Sequence, residues 1–234
     1  MAKVYQKTLF SWKEINDIGD LERLKLVIDY MPDERLVQKL ALLRGNGRKD
    51  HPICALWNSV LAGIVYQHNS IESLRRELQR NAQLRELCGF DPLKGSKAVP
   101  SKSAYNRFFS TLLKQEKLVD EIFDSLVKKL QALLPNFGKD LAFDSKAIHS
   151  HGAKSKNDNN DKRGEHDANL GAKTYRGVRE DGTAWEKVKS WFGFKLHLVV
   201  DANYELPVAM ELTKASIHDA PAMSVMFEKL EKTH

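Results

Sequence analysis

Cysteine is scarce in this chain of 234 residues. Its two cysteines, Cys54 and Cys88, lie far apart and form no Cys-x-x-Cys pair, which excludes a disulfide framework and a cysteine zinc site. Long apolar runs are also missing, because no stretch approaches the roughly 20 residues of a membrane span. The first ten residues lack the apolar segment of a secretory signal. We therefore expect an intracellular protein that does not enter a membrane.

Positive charge is in excess. The chain has 37 Lys and Arg against 31 Asp and Glu, a formal net charge of +6, and this balance favours a polyanionic partner such as nucleic acid. The hydrophobic content of 42% can supply the core of one large domain or two smaller ones. The position of the charge along the chain is more informative than its sum.

The first two thirds of the chain have the apolar periodicity of helices. A candidate linker is the Gly-Asn-Gly sequence at 45–47, and the apolar run at 53–66 predicts a central helix. Ser70 can cap a helix that continues to Gly89. Residues 102–113 and 119–133 predict two further amphipathic helices, the second of which ends before Pro135.

Basic residues concentrate within this helical part. Residues 72–117 contain ten basic and five acidic side chains, an excess of +5 that accounts for most of the net charge. Two helices separated by a turn could present a helix to a DNA groove, as helix-turn-helix modules do. The alternative is a solvated face of a helical bundle. The candidate DNA-binding residues are Arg75, Arg76, Arg80, Lys102 and Arg107.

After Pro135 the pattern changes to short strands. Residues 140–148 form an apolar strand that contains Asp144. We expect this carboxylate to be buried, which costs several kcal/mol without a partner or cation. A cap or turn role at the strand end is the alternative to catalysis. Lys146 and Lys195 could steer a phosphate toward Asp144, or could simply be solvated.

The remaining segments predict a small antiparallel sheet and a final helix. Residues 150–167 are polar and predict a loop; His149, His151 and His166 lie near it, but no second group of ligands has a zinc-site spacing. The Asp-Gly pair at 181–182 predicts a hairpin turn between strands at 174–179 and 183–189. Strands at 192–200 and 206–212 and a helix that begins at Asp219 follow.

Several segments together carry a resemblance to a known family. The strings LAFDSKAIHSHG and DANLGAKTYRGVREDGTAWEKVKSWFGFKLHLVVDANYELPVAMELTKASIHDAP closely resemble the DDE domain of transposases from bacterial insertion sequences. HPICALWNSVLAG, SIESLRRELQRNAQLRELCGFDP and VPSKSAYNRFF resemble the helical domain that precedes it in those proteins. The resemblance covers roughly residues 48–225.

The resemblance implies an α+β protein with three parts. These are a helical N-terminal segment (1–47), a helical DNA-binding domain (48–135) and a ribonuclease-H-like β-β-β-α unit (136–234). Asp144 is then the first catalytic acid and a ligand of Mg²⁺ or Mn²⁺, because two hard cations about 3.5–4 Å apart hold the phosphodiester in such sites. The implied partner is double-stranded DNA at terminal inverted repeats, with self-association on paired ends, in the bacterial cytoplasm near the nucleoid.

We expect the ribonuclease-H-like unit to be incomplete. The sequence ends near the expected start of the fourth strand, which carries the second acid in the family. Asp201 lies in a hairpin turn and Asp219 is interpreted as a helix cap, so neither is a substitute. His197 and His218 are interpreted as packing or turn residues. The chain would then bind DNA and need a downstream polypeptide for cleavage. The alternative is a non-catalytic DNA-binding regulator or a remnant of a transposase.

Overall fold

The computed structural model of the chain describes residues 19–45, 50–152 and 167–233. It contains two compact units, Met1–Leu126 and Val127–His234, which we call the helical unit and the sheet unit. The boundary between them falls inside the helix Glu116–Leu133. Part of the predicted linker, residues 46–47, and most of the predicted loop, residues 153–166, lie outside the described residues.

Helices account for the regular structure of the helical unit, as predicted. They are α1 (Leu21–Tyr30), α2 (Glu34–Leu43), α3 (Ile53–Val65), α4 (Ile71–Arg80), α5 (Ala82–Cys88), α6 (Lys102–Leu112) and α7 (Glu116–Leu133), and α7 continues into the sheet unit. A 3₁₀ segment, Pro92–Ala98, lies between α5 and α6. None of the described helices combines the length and the hydropathy needed to cross a bilayer.

The core of the helical unit surrounds α3, which confirms its predicted central position. Ala55, Leu56, Leu61 and Ala62 of α3 are buried together with apolar residues of α1, α2, α4, α5 and α6. Tyr105 of α6 is fully buried, and its hydroxyl lies 2.8 Å from Ser59 Oγ. This hydrogen bond satisfies two polar groups inside an apolar core.

The helix predicted from Ser70 to Gly89 is interrupted. Ser70 caps α4 as predicted, since its Oγ accepts the N–H of Ser73. Asn81 then adopts an extended conformation, and its side chain caps α5 by accepting the N–H of Leu84 at 3.0 Å. Asparagine favours such caps because its side chain competes for backbone donors. Gly89, with a φ of +95°, ends α5 as predicted.

The sheet unit consists of four antiparallel strands, the end of α7 and one further described helix. The strands and the further helix are β1 (Leu141–His149), β2 (Asn169–Val178), β3 (Ala184–Asp201), β4 (Pro207–Lys214) and α8 (Asp219–Thr233). The predicted turn at 181–182 is confirmed, but the two strands that we expected at 183–189 and 192–200 form one continuous strand, β3. The order β1, β3, β4, α8 supplies the expected β-β-β-α unit, with β2 as an additional strand.

The strand β3 holds this sheet together. Its first half pairs with β2, while its second half pairs with β1 on one edge and with β4 on the other. Side chains alternate between the faces, as predicted. The face that bears His197, Val199 and Asp201 is buried, whereas the face that bears Leu196 and Leu198 is half-exposed. The reason is that α8, which packs on β3 and β4, covers the first of these faces.

Candidate active site and nucleic-acid interface

Asp144 lies at the middle of β1, directly opposite Leu198 of β3. Its side chain is exposed on the half-exposed face of the sheet, and its Oδ1 accepts the N–H of Ser145 at 2.7 Å. The expectation that this carboxylate is buried is therefore wrong. It is exposed because α8 covers the opposite face and because, within the residues that the structure describes, only β3 pairs with β1.

Divalent cations need several oxygen ligands, and the described residues supply too few around Asp144. No group of three His, Cys, Asp or Glu side chains able to hold a metal ion occurs in ranges 19–45, 50–152 and 167–233. The part of the chain that the structure describes therefore does not fit a two-metal site. Asp144 stands as a single potential ligand.

Asp201 has a structural role at the end of β3. Its fully buried carboxylate accepts the backbone N–H groups of Gly138 at 2.6 Å, Asn203 at 2.9 Å and Tyr204 at 2.8 Å. Burial raises the pKa of Asp201, but these three N–H groups lower it more, so the net pKa lies below the ordinary value. The carboxylate closes the β3–β4 turn, which confirms the turn position predicted for it.

Asp219, the first residue of α8, contacts side chains of the sheet. Its Oδ1 lies 3.4 Å from Lys195 Nζ and 3.5 Å from His197 Nδ1. Burial raises the pKa of Asp219, but the Lys195 ammonium and a hydrogen bond from Ser145 lower it more. We expected a helix cap at this position; the contacts show that the carboxylate joins α8 to β1 and β3.

The sequence did not reveal how deeply His197 is buried. Its ring is fully buried, stacks on Phe143 and places Nε2 at 2.9 Å from Thr213 Oγ1. Burial lowers the pKa of His197; the Asp219 carboxylate opposes this shift, and the Lys195 ammonium adds to it. The alternating pattern of the strand placed His197 on the same face as Lys195 and Val199. The pattern did not indicate which face of the sheet α8 covers.

The two lysines predicted to assist Asp144 lie on different faces. Lys146 shares the exposed face of β1 with Asp144, two residues away. Lys195 lies on the face covered by α8, where its Nζ donates to the carbonyl of Ile217 at 2.8 Å and contacts Asp219. The structure therefore brings Lys146 near Asp144 and does not bring Lys195 there. His149 and His151 are exposed, and His166 lies outside the described residues.

The arginines of α4 make contacts within the helical unit. Arg75 pairs with Glu72 at 3.0 Å and donates to the carbonyl of Pro100 at 2.8 Å, which links α4 to the start of α6. Arg80 pairs with Glu77, and Arg76 donates to the carbonyl of Glu72 at 3.4 Å. Part of the predicted basic surface is thus neutralised locally. In addition, α5 and the 3₁₀ segment separate α4 from α6, where a simple turn was expected.

The helix α6 presents a polar face to solvent. Its exposed side chains are Lys102, Ser103, Asn106, Arg107 and Ser110, and Ser101 caps its N-terminus by accepting the N–H of Ala104. The opposite face is anchored in the core by Tyr105 and Phe108. Arginine, asparagine and serine side chains can hydrogen-bond to base edges or phosphates.

Two family models match the chain. One, described as "Transposase domain (DUF772)", matches residues 11–111, and the other, described as "Transposase DDE domain", matches residues 135–234. No curated protein and no solved structure matches the chain. The matches follow the division between helices and sheet and together cover most of the sequence.

The fold and the two matches define a protein of DNA transposition, built from a helical transposase domain and a DDE domain. More particularly, the chain belongs to the DDE transposases. This pair of domains is typical of the transposases of bacterial insertion sequences. Members of this family typically bind DNA and generally use a divalent metal ion.

Proposed function

We propose that the chain binds double-stranded DNA at the terminal inverted repeats of an insertion sequence. In this proposal the helical unit makes the DNA contacts, and Asp144 is the first acid of a metal-dependent site for strand cleavage and transfer. The observation that carries the second part is the position of Asp144: it is exposed at the middle of a strand that β3 pairs on one edge, inside the region matched by the DDE domain.

The metal site needs ligands beyond the described residues. When bound, Mg²⁺ or Mn²⁺ would activate the attacking oxygen and stabilise the leaving oxygen at a phosphodiester. Asp144 would contribute one ligand, and Lys146 on the same face would attract the DNA phosphate. We infer that the other acids lie outside the described residues and that this chain alone does not cleave DNA.

The DNA contacts are assigned first to α6. Lys102 and Arg107 are exposed, and neither has a side-chain partner among the described residues, whereas Arg75 and Arg80 are paired with glutamates. Cations that are already paired release fewer counterions when DNA binds. We therefore propose that Lys102 and Arg107 contribute most, with Arg76 next and Arg75 and Arg80 least.

A salt titration of DNA affinity tests this assignment. The double variant Lys102→Ala and Arg107→Ala removes two phosphate contacts, so the slope of log K against log salt falls by about 2. The matched control is Lys25→Ala with Lys39→Ala, which removes two exposed lysines from α1 and α2 of the same unit. Equal slopes for both double variants would contradict the assignment to α6.

A non-catalytic regulator is the second candidate. It is favoured by the single carboxylate at the Asp144 position, since the described residues contain no acidic cluster around it. A regulator would bind the element ends and block them without contributing to a composite active site. The two candidates differ when a polypeptide that carries the later acids is added: a split enzyme then cleaves DNA in a manner that depends on Asp144, and a regulator does not.

A further inference from the structure

The strands β2 and β3 extend beyond the rest of the sheet as a two-stranded ribbon. Residues 172–178 of β2 pair with residues 184–190 of β3, and over this range neither β1 nor β4 pairs with β3. We call residues 172–190 the ribbon. All of its residues except Gly177 are exposed, so its two faces are surfaces rather than parts of the core.

One face of the ribbon combines lysines with aromatic rings. Residues that lie opposite each other in an antiparallel pair are on the same face. This face therefore bears the pairs Lys173–Lys189, Tyr175–Lys187 and Gly177–Trp185. Among the paired residues of the ribbon only Glu186 is acidic, and it lies on the other face, where it forms an ion pair with Arg176 at 2.8 Å. We call the first of these faces the basic face.

The lysines of the basic face are held close together. Lys173 and Lys189 are directly opposite, and their ammonium groups lie 5.8 Å and 5.4 Å from the centre of the Tyr175 ring. The ring attracts both cations, but like charges directly opposite across two strands repel each other. Lys187, which faces Tyr175, adds a third positive charge. A polyanion on this face would relieve the repulsion, so charge complementarity favours a phosphate backbone as the partner.

Trp185 lies flat on the ribbon. It faces Gly177 across the two strands, and a Cβ at Gly177 would lie 2.7–2.9 Å from three atoms of the indole ring. One face of the ring therefore rests on the backbone of β2, where only a glycine leaves room for it. Trp185 is nevertheless 36% exposed. An indole held in this way is a platform on which another planar ring can stack.

A stacking platform suits a single strand better than a duplex. In duplex DNA the base faces are stacked on one another, and a protein reaches base edges, sugars and phosphates. The bases of a single strand have free faces, and proteins that bind single strands combine aromatic platforms with a basic track along the backbone. Lys187 and Lys189 follow Trp185 on the same face of β3, at intervals of about 6.8 Å, and form such a track.

We propose that the basic face of the ribbon binds single-stranded DNA, with a base stacked on Trp185 and phosphates at Lys187 and Lys189. Lys173 lies beside Lys189 and widens the track. The surface is separate from Asp144, which lies on the other face of the sheet, and from the helical unit to which duplex binding is assigned above. The inference requires neither of those assignments.

Replacement of the indole tests the stacking in the full chain. The probe is a labelled oligonucleotide of about 12 thymidines, a length within the range of single-strand sites. Trp185→Leu should weaken its binding about tenfold, whereas Trp185→Phe, which keeps an aromatic face, should weaken it much less. The affinity for a duplex of the same length should not change, because a duplex offers no free base face to Trp185.

Replacement of the lysines tests the basic track. Lys187→Ala with Lys189→Ala removes two phosphate contacts, so the slope of log K against log salt for the thymidine oligonucleotide should fall by about 1.4. The matched control is Lys128→Ala with Lys129→Ala, which removes two exposed lysines of α7 from the same unit and should leave the slope unchanged. The ribbon variant should keep the thermal midpoint of the parent chain, because it removes charges that repel each other.

The outcomes separate this proposal from duplex binding by α6. A parent chain that does not bind the thymidine oligonucleotide overturns the proposal, whether or not the chain binds the duplex. A Trp185→Leu variant that keeps the single-strand affinity, or that loses single-strand and duplex affinity equally, also overturns it. So do equal salt slopes for the two lysine variants. Loss of single-strand affinity alone, with an unchanged thermal midpoint in the ribbon variant, supports the proposal.

Discussion

The ammonium group of Lys195 lies 3.4 Å from the carboxylate of Asp219. The same ammonium donates to the carbonyl of Ile217 at 2.8 Å, and the Lys195 side chain is only 15% exposed. These contacts join β3 to the start of α8, and α8 covers one face of the sheet. Lys195 was predicted to steer a DNA phosphate toward Asp144. Its contacts show instead that it stabilises the packing of α8 on the sheet.

Replacing this lysine should destabilise the protein. Lys195→Met keeps much of the apolar stem but leaves the Ile217 carbonyl and Asp219 without their cation. We expect the free energy of unfolding in urea to fall by about 1–2 kcal/mol, because Asp219 is partly solvated and its ion pair is screened. The matched control is Lys187→Met on the exposed part of β3, for which a change within about 0.5 kcal/mol is expected. A larger loss in the control would contradict this role of Lys195.

His197 should make stability depend on pH. Its folded-state pKa lies below the ordinary value because the ring is buried, so below about pH 6.5 the unfolded chain binds more protons than the folded chain. Stability is therefore full above that pH and is lost as the pH falls, by at most about 1.4 kcal/mol per pH unit from this group.

Thermal unfolding across this pH range is the measurement. His197→Gln should flatten the dependence, whereas His218→Gln, a change at an exposed position, should leave it as in the parent chain. If both variants keep the slope of the parent, a different group causes it.

Gly193 should tolerate no side chain. It has a φ of +152°, and a Cβ at this position would lie 2.1 Å from the carbonyl oxygen of Ile148 and 2.7 Å from the backbone nitrogen of Ser150. Gly193→Ala must therefore push β1 away from β3, and we expect a loss of at least about 2 kcal/mol in the free energy of unfolding. Ser190→Ala, at an exposed position of the same strand, is the control. A stable Gly193→Ala variant would show that β1 does not pair at this register.

The elements were predicted better from the sequence than their contacts were. The spacing of Tyr105 and Phe108 indicated α6, and the Asp-Gly pair at 181–182 indicated the β2–β3 turn, because local periodicity and turn chemistry determine such features. The break at Asn81 was missed, since a capping asparagine inside an apolar periodic segment looks like a helical position. The continuity of β3 was missed because its first half lacks clear alternation.

Asp201 should contribute to stability above acidic pH. Three backbone N–H groups hold its folded-state pKa below the ordinary value, so its contribution is present near neutral pH and is lost as the pH falls through that lowered pKa. Asp201→Asn keeps the shape but removes the charge and one of the two carboxylate oxygens. We expect a lower thermal midpoint at neutral pH and a smaller loss on acidification than in the parent chain.

The chemical control is Asp181→Asn in the exposed β2–β3 turn. Hydrogen bonds from the Thr183 side chain and backbone also lower the pKa of Asp181, but this turn lies at an exposed tip of the sheet. A midpoint that falls equally in both variants would contradict a special role of Asp201 in closing the β3–β4 turn.

The candidate site was only partly predictable. Asp144 was identified because a carboxylate within an apolar strand is unusual, and its place at the centre of β1 followed from the strand pattern. Its exposure did not follow, because burial depends on which face α8 covers and on what pairs with the outer edge of β1. Lys195 and Lys146 looked equivalent in the sequence, and only the register with β3 separates them onto opposite faces.

The central claim is that this chain binds element-end DNA and holds one acid of a composite site at Asp144. The most direct test is strand cleavage of DNA that carries the element's terminal inverted repeats, with Mg²⁺ and the purified chain. The account predicts binding without cleavage by the chain alone, and cleavage that is lost in Asp144→Asn once a polypeptide with the later acids is added. Mg²⁺-dependent cleavage by the chain alone that Asp144→Asn abolishes would contradict it.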